Sequence, residues 1–456
     1  MLKFINTIFT NQFFLMFLAI ATGLLIGKIK IKSFSLGVSG GIFTGIIIGY
    51  FVTKWAHTAS EGAIGYANAK RILSTGVVAQ AFFTFFLLLF LVSIGLKVGN
   101  SIGTIFKKYG MKFVIIGVSI PVVSMITACV LYGTVLSSNG SITPFETIGM
   151  YAGAMTTTPG YGTALDAAGN VDYAKLYEEA SSEEKDRMLK KIDPTGALTQ
   201  ENTPSLGEEQ VAAYKEEASS AVSLGYTVAF PMGVLVIVVM ISILPKLFRI
   251  DMEKEKEAYQ KEIGESGEAL KNGKEQPLNF MVMSLVAVIG IVVGTITIPL
   301  GRFGSFSLGA AGGVLLAALI LSYIGQIGPV NFRMDTKSLG TMYQMGLTFF
   351  MAVVGLRYGY DVVTSLMGSG LAIAVSAIIV EAVAVLISFL IGHKLFGLNW
   401  IILSGAIAGG CTSAPGLGAA ISSTGSEEPT TGYGAAQPFA ILANVLLATI
   451  FFNIML

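Results

Sequence analysis

The chain has 456 residues, 53% of them hydrophobic and only 12% charged, with a formal net charge of +1. A soluble domain carries about 25% charged residues, so this composition excludes a soluble protein and identifies a polytopic membrane protein whose solvent is the lipid bilayer. Near-neutrality gives no footing for nucleic acid.

A spanning helix needs about 20 apolar residues. In chain order, the apolar runs predict spans at 13–29, 35–52, 80–97, 112–136 and 221–246. They predict five more at 279–299, 306–326, 341–359, 370–396 and 433–455. The first run resembles a signal peptide in length. It leads, however, into Phe34-Ser35-Leu36-Gly37, and a similar run precedes Phe306-Ser307-Leu308-Gly309. It therefore belongs to a repeat.

Other landmarks recur in the same order. Ile94-Gly95-Leu96-Lys97 matches Val354-Gly355-Leu356-Arg357, and Gly225-Tyr226 with Pro231 matches Gly432-Tyr433 with Pro438. Most informative is Thr156-Thr157-Thr158-Pro159-Gly160 against Thr412-Ser413-Ala414-Pro415-Gly416. A Pro-Gly pair inside an apolar segment breaks a helix. Segments 143–165 and 400–423 are therefore read as re-entrant hairpins, each piece too short to cross alone. A matched break in two halves is the best sequence pointer to a transporter binding site.

The fold class expected is all-α, with two inverted repeats of five spans plus one hairpin each. Residues 1–246 form the first repeat, 247–276 a cytoplasmic linker and 277–456 the second repeat. The first repeat carries a polar insert at about 166–217, with 13 acidic and 6 basic residues. Its helix-forming stretch is Tyr173–Ile192. Lysines orient the array. Lys28, Lys30 and Lys32, then Lys97, Lys107, Lys108 and Lys112, and the linker, are placed in the cytoplasm. The acidic insert and both termini then lie outside.

Short helices restarting after Pro159-Gly160 and Pro415-Gly416 would aim free N–H groups and positive dipole ends at the membrane centre, where they suit a carboxylate. The hydroxyls of Thr156, Thr157, Thr158, Thr412 and Ser413 could add hydrogen bonds to a carboxylate, an ammonium group or a small cation. Tyr226 and Gln437 flank the second repeated pair of prolines, and Gln437 is equally suited to bonding between helices. Lys97 and Arg357 end matched spans, as counter-charges or as interface anchors. Glu381 has eleven apolar or small residues on either side. An acid at that depth is costly and by default functional, here as a coupling group for H+ or Na+ or as a protonated bond to a neighbouring helix. Its approximate counterpart, Pro121–Ser124, has no acid. Cys129 and Cys411 make no disulfide framework, and His57 and His393 are too far apart for a metal motif. No metal or cofactor is expected beyond a coupling ion.

The stretches 94–99, 153–160, 225–233 and 412–420 resemble the aspartate:alanine exchanger family of bacterial antiporters, over nearly the whole chain. A fainter likeness is to sodium/glutamate symporters. The resemblance implies an inverted-repeat carrier of the bacterial inner membrane, a homodimer, that exchanges amino acids or small carboxylates. A sodium- or proton-coupled symporter is the alternative; a channel or a non-transporting sensor fits less well. No enzyme motif is present. Two departures stand out: the linker is too short to hold the soluble domains of many members, and the acidic insert is unusual.

Overall fold

The computed structural model describes residues 8–28, 40–137, 142–193, 195–265, 275–299, 305–306, 308–367 and 370–455. The Phe34–Gly37 motif, Lys30, Lys32 and residues 266–274 of the linker lie outside them. The chain is mostly helical. Its first half has α1 (Gln12–Gly27), α2 (Gly40–Thr58), α3 (Tyr66–Thr75), α4 (Gln80–Leu131), α5 (Pro144–Ala154), α6 (Thr158–Gly169), α7 (Tyr173–Glu179), α8 (Ser182–Ile192) and α9 (Glu208–Leu247). A connector helix follows, α10 (Met252–Glu265). The second half has α11 (Phe280–Thr295), α12 (Gly309–Ile324), α13 (Thr336–Met367), α14 (Leu371–Phe389), α15 (Trp400–Gly410), α16 (Ala414–Thr424) and α17 (Pro429–Met455).

Local chemistry sets many of these boundaries. The Asn11, Asn279 and Asn399 side chains accept backbone N–H bonds at the starts of α1, α11 and α15. Thr143 and Glu146 form a reciprocal capping box on α5, with Pro144 in the first turn. Ser181 and Glu184 do the same for α8.

Among the described residues, six stretches are long and apolar enough to cross a bilayer: Gln80–Lys97, Lys108–Leu136, Glu208–Leu247, Thr336–Thr364, Leu371–Leu395 and Pro429–Phe451. Four shorter apolar helices accompany them: α1, α11, α12 and α15.

Several expectations are amended. The turn expected between spans 80–97 and 112–136 is helical: the 52-residue α4 carries the first span and the second as far as Leu131, and a π-helical turn, Tyr132–Leu136, continues it. Residues 98–111 between the two spans contain no proline, and an isolated glycine weakens a helix by only about 1 kcal/mol. The polar insert expected at 166–217 holds the end of α6, then α7 and α8, and the first turns of α9. Helices α9 and α17 also run through Pro231 and Pro438. Two ribbons of two residues per strand depart from a purely helical chain. Ile298–Pro299 (β1) pairs with Ser305–Phe306 (β2), and Gln326–Ile327 (β3) with Val330–Asn331 (β4). They close the connections into α12 and α13, pairing backbone groups that no helix satisfies.

The packing repeats when the halves are exchanged. Helix α1 lies on α2 as α11 lies on α12, and α5 lies on α9 as α15 lies on α17. Helix α13 packs on α2 of the other half, as α4 packs on α12. Likewise α6 packs on α17 and α16 on α9. The halves are interlocked rather than adjacent.

Glycines permit the tightest of these contacts. A Cβ on Gly149 would strike the Val222 carbonyl, and one on Gly225 the Glu146 carbonyl. The matched pair is Gly405 against Pro429 and Gly432 against Ile402. In lipid, such close backbone approach, rather than a hydrophobic force, drives helix association. Gly149→Val and Gly405→Val are each expected to lower the thermal midpoint of the detergent-solubilised chain, at an overpacking cost of about 1–3 kcal/mol or more. Gly133→Ala, where nothing lies within 4 Å of the added carbon, should stay within about 0.5 kcal/mol of the parent. Thermal unfolding followed by tryptophan fluorescence checks all three.

Candidate functional site

Each Thr-Pro-Gly-type segment is a helix that stops and restarts. Helix α5 is capped by Met155, and Thr156 then turns to φ +48°; α15 is capped by Cys411, and Thr412 turns to φ +51°. Two backbone bonds close each turn. Thr156 N–H donates to Gly153 and Thr157 N–H to Ala152, as Thr412 donates to Gly409 and Ser413 to Ala408. This closure normally places glycine at the left-handed position. A β-branched residue there is a genuine outlier, costing on the order of 1–3 kcal/mol. The restart is built alike on both sides. The Thr157 hydroxyl accepts from Gly160 N–H at 3.3 Å, and the Ser413 hydroxyl from Gly416 N–H at 3.2 Å. Pro159 and Pro415 sit in the first turns of α6 and α16.

The strained threonines hold the two breaks together. The Thr156 hydroxyl donates to the Cys411 carbonyl at 3.0 Å, and the Thr412 hydroxyl donates to the Met155 carbonyl at 2.8 Å. Each bond answers a carbonyl that its own helix end leaves open.

Against this crossing lies a cavity of about 340 Å³, lined by Thr156, Thr158, Tyr226, Thr412, Pro415 and Gln437. Six of the sequence-predicted residues thus share one space. Thr158 and Ala414, the first residues of α6 and α16, both face it, and first-turn N–H groups lack intrahelical acceptors. Phe83, Phe230, Phe350 and Tyr358 supply aromatic wall, while Gln80 and Asp361 supply polar groups that the sequence reading did not single out. Tyr226 stacks on Tyr161 at 4.1 Å between ring centres, and Gln437 donates to the Tyr433 hydroxyl at 3.0 Å.

Other predicted residues stand apart from this lining. Thr157 and Ser413 are buried caps, and Pro159 is a helix-start residue. Gly160 packs against Thr157 and Asn444, and Gly416 against Ile237 and Ala408. Arg357 donates to the carbonyls of Val78 and Thr75, between α3 and α4. Lys97, its counterpart, pairs with Glu427 at 2.6 Å. Both cations are thus tied to the protein itself.

Glu381, on α14, is fully buried behind the second break. Neither carboxyl oxygen has a hydrogen-bond partner among N and O atoms, and the Cys411 thiol faces it. Behind the first break the Ser124 hydroxyl contacts the Met155 sulfur at 2.7 Å. Glu381 and Cys411 therefore occupy the place of Ser124 and Met155. A second polar difference also escaped the sequence reading: the Tyr151 hydroxyl donates to Asn444 at 2.6 Å.

The connector holds the second broken pair at both ends. The Glu255 carboxylate accepts from Trp400 N–H at 2.6 Å, and the Glu255 carbonyl from Asn399 at 2.8 Å. One helical turn on, Tyr259 donates to Glu428 at 2.9 Å.

Bilayer-length helices and an interior cavity between broken helix ends define a multi-pass membrane permease. The Asp-Al_Ex family model, described as a predicted permease membrane region, matches residues 15–180 and 282–453. The chain belongs to this aspartate:alanine exchanger family. An uncharacterized transporter of Bacteroides fragilis is 24% identical over 96% of this chain and 97% of its own length. Uncharacterized transporters of Geobacter sulfurreducens and Rhodopirellula baltica are 36% and 38% identical over 39% and 35% of this chain, and 30–33% of their own lengths.

Two outcomes test the site's construction. Thr156→Val keeps the left-handed strain and deletes the hydroxyl, so it should cost about 1 kcal/mol or more. Thr156→Gly deletes both and should cost less, since glycine accepts that backbone; thermal unfolding that ranks them the other way would remove strain from the account. At the connector, burial and then the Glu428 carboxylate push the Tyr259 phenol above its ordinary value of 10. A raised value in the folded state means stability that is complete below pH 10 and declines only above it. Tyr259→Phe should accelerate trypsin cleavage at Lys254, Lys256 and Lys261, while the parent's cleavage rate, corrected for trypsin's own pH dependence, stays flat from pH 7 to 9.

Proposed function

We propose that the protein is a secondary active transporter of a bacterial plasma membrane, exchanging amino acids or small carboxylates of the aspartate and alanine kind by alternating access. The observation that carries this reading is the reciprocal Thr156 and Thr412 contact between two like helix breaks beside a cavity of about 340 Å³. In this reading the halves are inverted repeats, and each break is the tip of a re-entrant hairpin. A substrate carboxylate binds at the starts of α6 and α16, where helix dipoles and first-turn N–H groups favour an anion. The two parts of the molecule then move past one another about the crossing. An empty carrier leaves those dipole ends uncompensated and reorients slowly, which makes exchange the favoured cycle.

The test is uptake of radiolabelled L-aspartate into proteoliposomes preloaded with L-alanine, L-aspartate, succinate or nothing. Exchange gives uptake into preloaded vesicles alone. Uptake into empty vesicles under an imposed sodium or proton gradient would replace exchange with symport.

A second reading, a proton-coupled symporter on the same fold, is favoured by Glu381, a fully buried acid without a conventional partner. Under that reading Glu381→Gln abolishes the dependence of uptake on a pH gradient. If the variant retains that dependence, Glu381 is not the coupling group.

A further inference from the structure

The cavity has two chemical poles. One is the pair of helix starts at Thr158 and Ala414, which suits an anion. The other is Asp361, on α13, a partly buried acid in the same wall. An acid withdrawn from water needs a compensating cation or donor. Among the described residues, no cation lies within 4.0 Å of the Asp361 carboxylate. Arg357, one helical turn earlier, is near enough for its charge to act on Asp361, but its guanidinium donates to the Thr75 and Val78 carbonyls and makes no contact ion pair with the acid.

The surroundings of Asp361 also suit a cation. Tyr358, three residues before it, lies 5.1 Å from the Phe230 ring and 6.4 Å from the Phe83 ring. Phe230 in turn lies 5.5 Å from Tyr226. Aromatic faces attract ammonium groups, more so where water is scarce.

We propose that Asp361 is the specificity-determining residue of the cavity and binds the ammonium group of a zwitterionic substrate. This rests on the carrier reading above and narrows its substrate from small carboxylates in general to those that also bear an ammonium. The carboxylate meets the helix starts, and the ammonium meets Asp361 among the rings. A plain carboxylate of the same shape leaves Asp361 without a contact partner and with only the more distant charge of Arg357, and such a site discriminates because the unpaired group is its own penalty.

The experiment uses the full chain in detergent and four probes in two pairs: L-alanine against propionate, and L-aspartate against succinate. Thermal stabilisation is titrated in sodium chloride and again in choline chloride. The parent should respond to each amino acid at a concentration at least about tenfold below that of its deaminated partner, in both salts. Asp361→Asn should shrink that ratio to about threefold or less, and Asp361→Glu should retain part of it.

Equal response to both members of a pair would overturn the proposal and leave the carboxylate carrier standing. So would discrimination that survives in Asp361→Asn, or stabilisation that requires sodium and loses the requirement in that variant, which would make Asp361 a metal-cation ligand. Failure of all four probes would overturn the carboxylate reading and this proposal together. The comparison on the parent needs no variant, so it decides even if Asp361→Asn does not fold.

Discussion

Two hydrogen bonds, each from a threonine hydroxyl of one helix break to a backbone carbonyl of the other, organise this protein. Thr156 and Thr412 occupy a left-handed conformation that their branched side chains disfavour, and each hands its hydroxyl to a carbonyl of the other break. A glycine would relieve the conformation and lose the bond. The strain is held because the bond lies in a buried interior, where an open carbonyl is costly. With the breaks pinned together, the starts of α6 and α16 come to one cavity. The other wall residues follow from how α4, α9, α12, α13 and α17 pack around that point.

The packing that supports the crossing is nearly the same on both sides, so the differences carry information. Gly149 and Gly225 let α5 lie directly on α9, and Gly405 and Gly432 do the same for α15 on α17. Behind these matched contacts the chemistry diverges. One break is backed by Ser124 and by the Tyr151 to Asn444 bond. The other is backed by Glu381 and Cys411, with Ile407 and Ile237 in the places of Tyr151 and Asn444. A duplicated frame thus carries unequal polar fillings, and only one of them includes a carboxyl group.

The backbone plan of the breaks was legible in sequence, because proline and glycine act locally. Pro159 and Pro415 start helices, as the pattern implied, and the hydroxyl two residues earlier, read in sequence as a substrate ligand, caps each. The tertiary partners were not legible. Nothing in the sequence joins Thr156 to residue 411, 255 positions away. Lys97 and Arg357 were legible as a matched pair, yet their fates differ, an ion pair for one and loop carbonyls for the other, because the loops that receive them are not repeated. Asp361 escaped notice because it sits just past an apolar stretch, where an acid reads as a span's polar end; only the placement of α13 turns it inward. Among the amended boundaries, the continuous α4 shows the limit of charge as punctuation, since lysines mark an interface without ending a helix.

The connector's attachments give the second broken pair a mechanical identity of its own. Glu255 grips the start of α15, and Tyr259 grips the residue just before α17, so α10 spans both feet of one unit. It is a rigid yoke rather than a slack tether. Any load on α10 is transmitted to both feet at once, and a displacement of that unit must either carry α10 along or break two charge-assisted bonds.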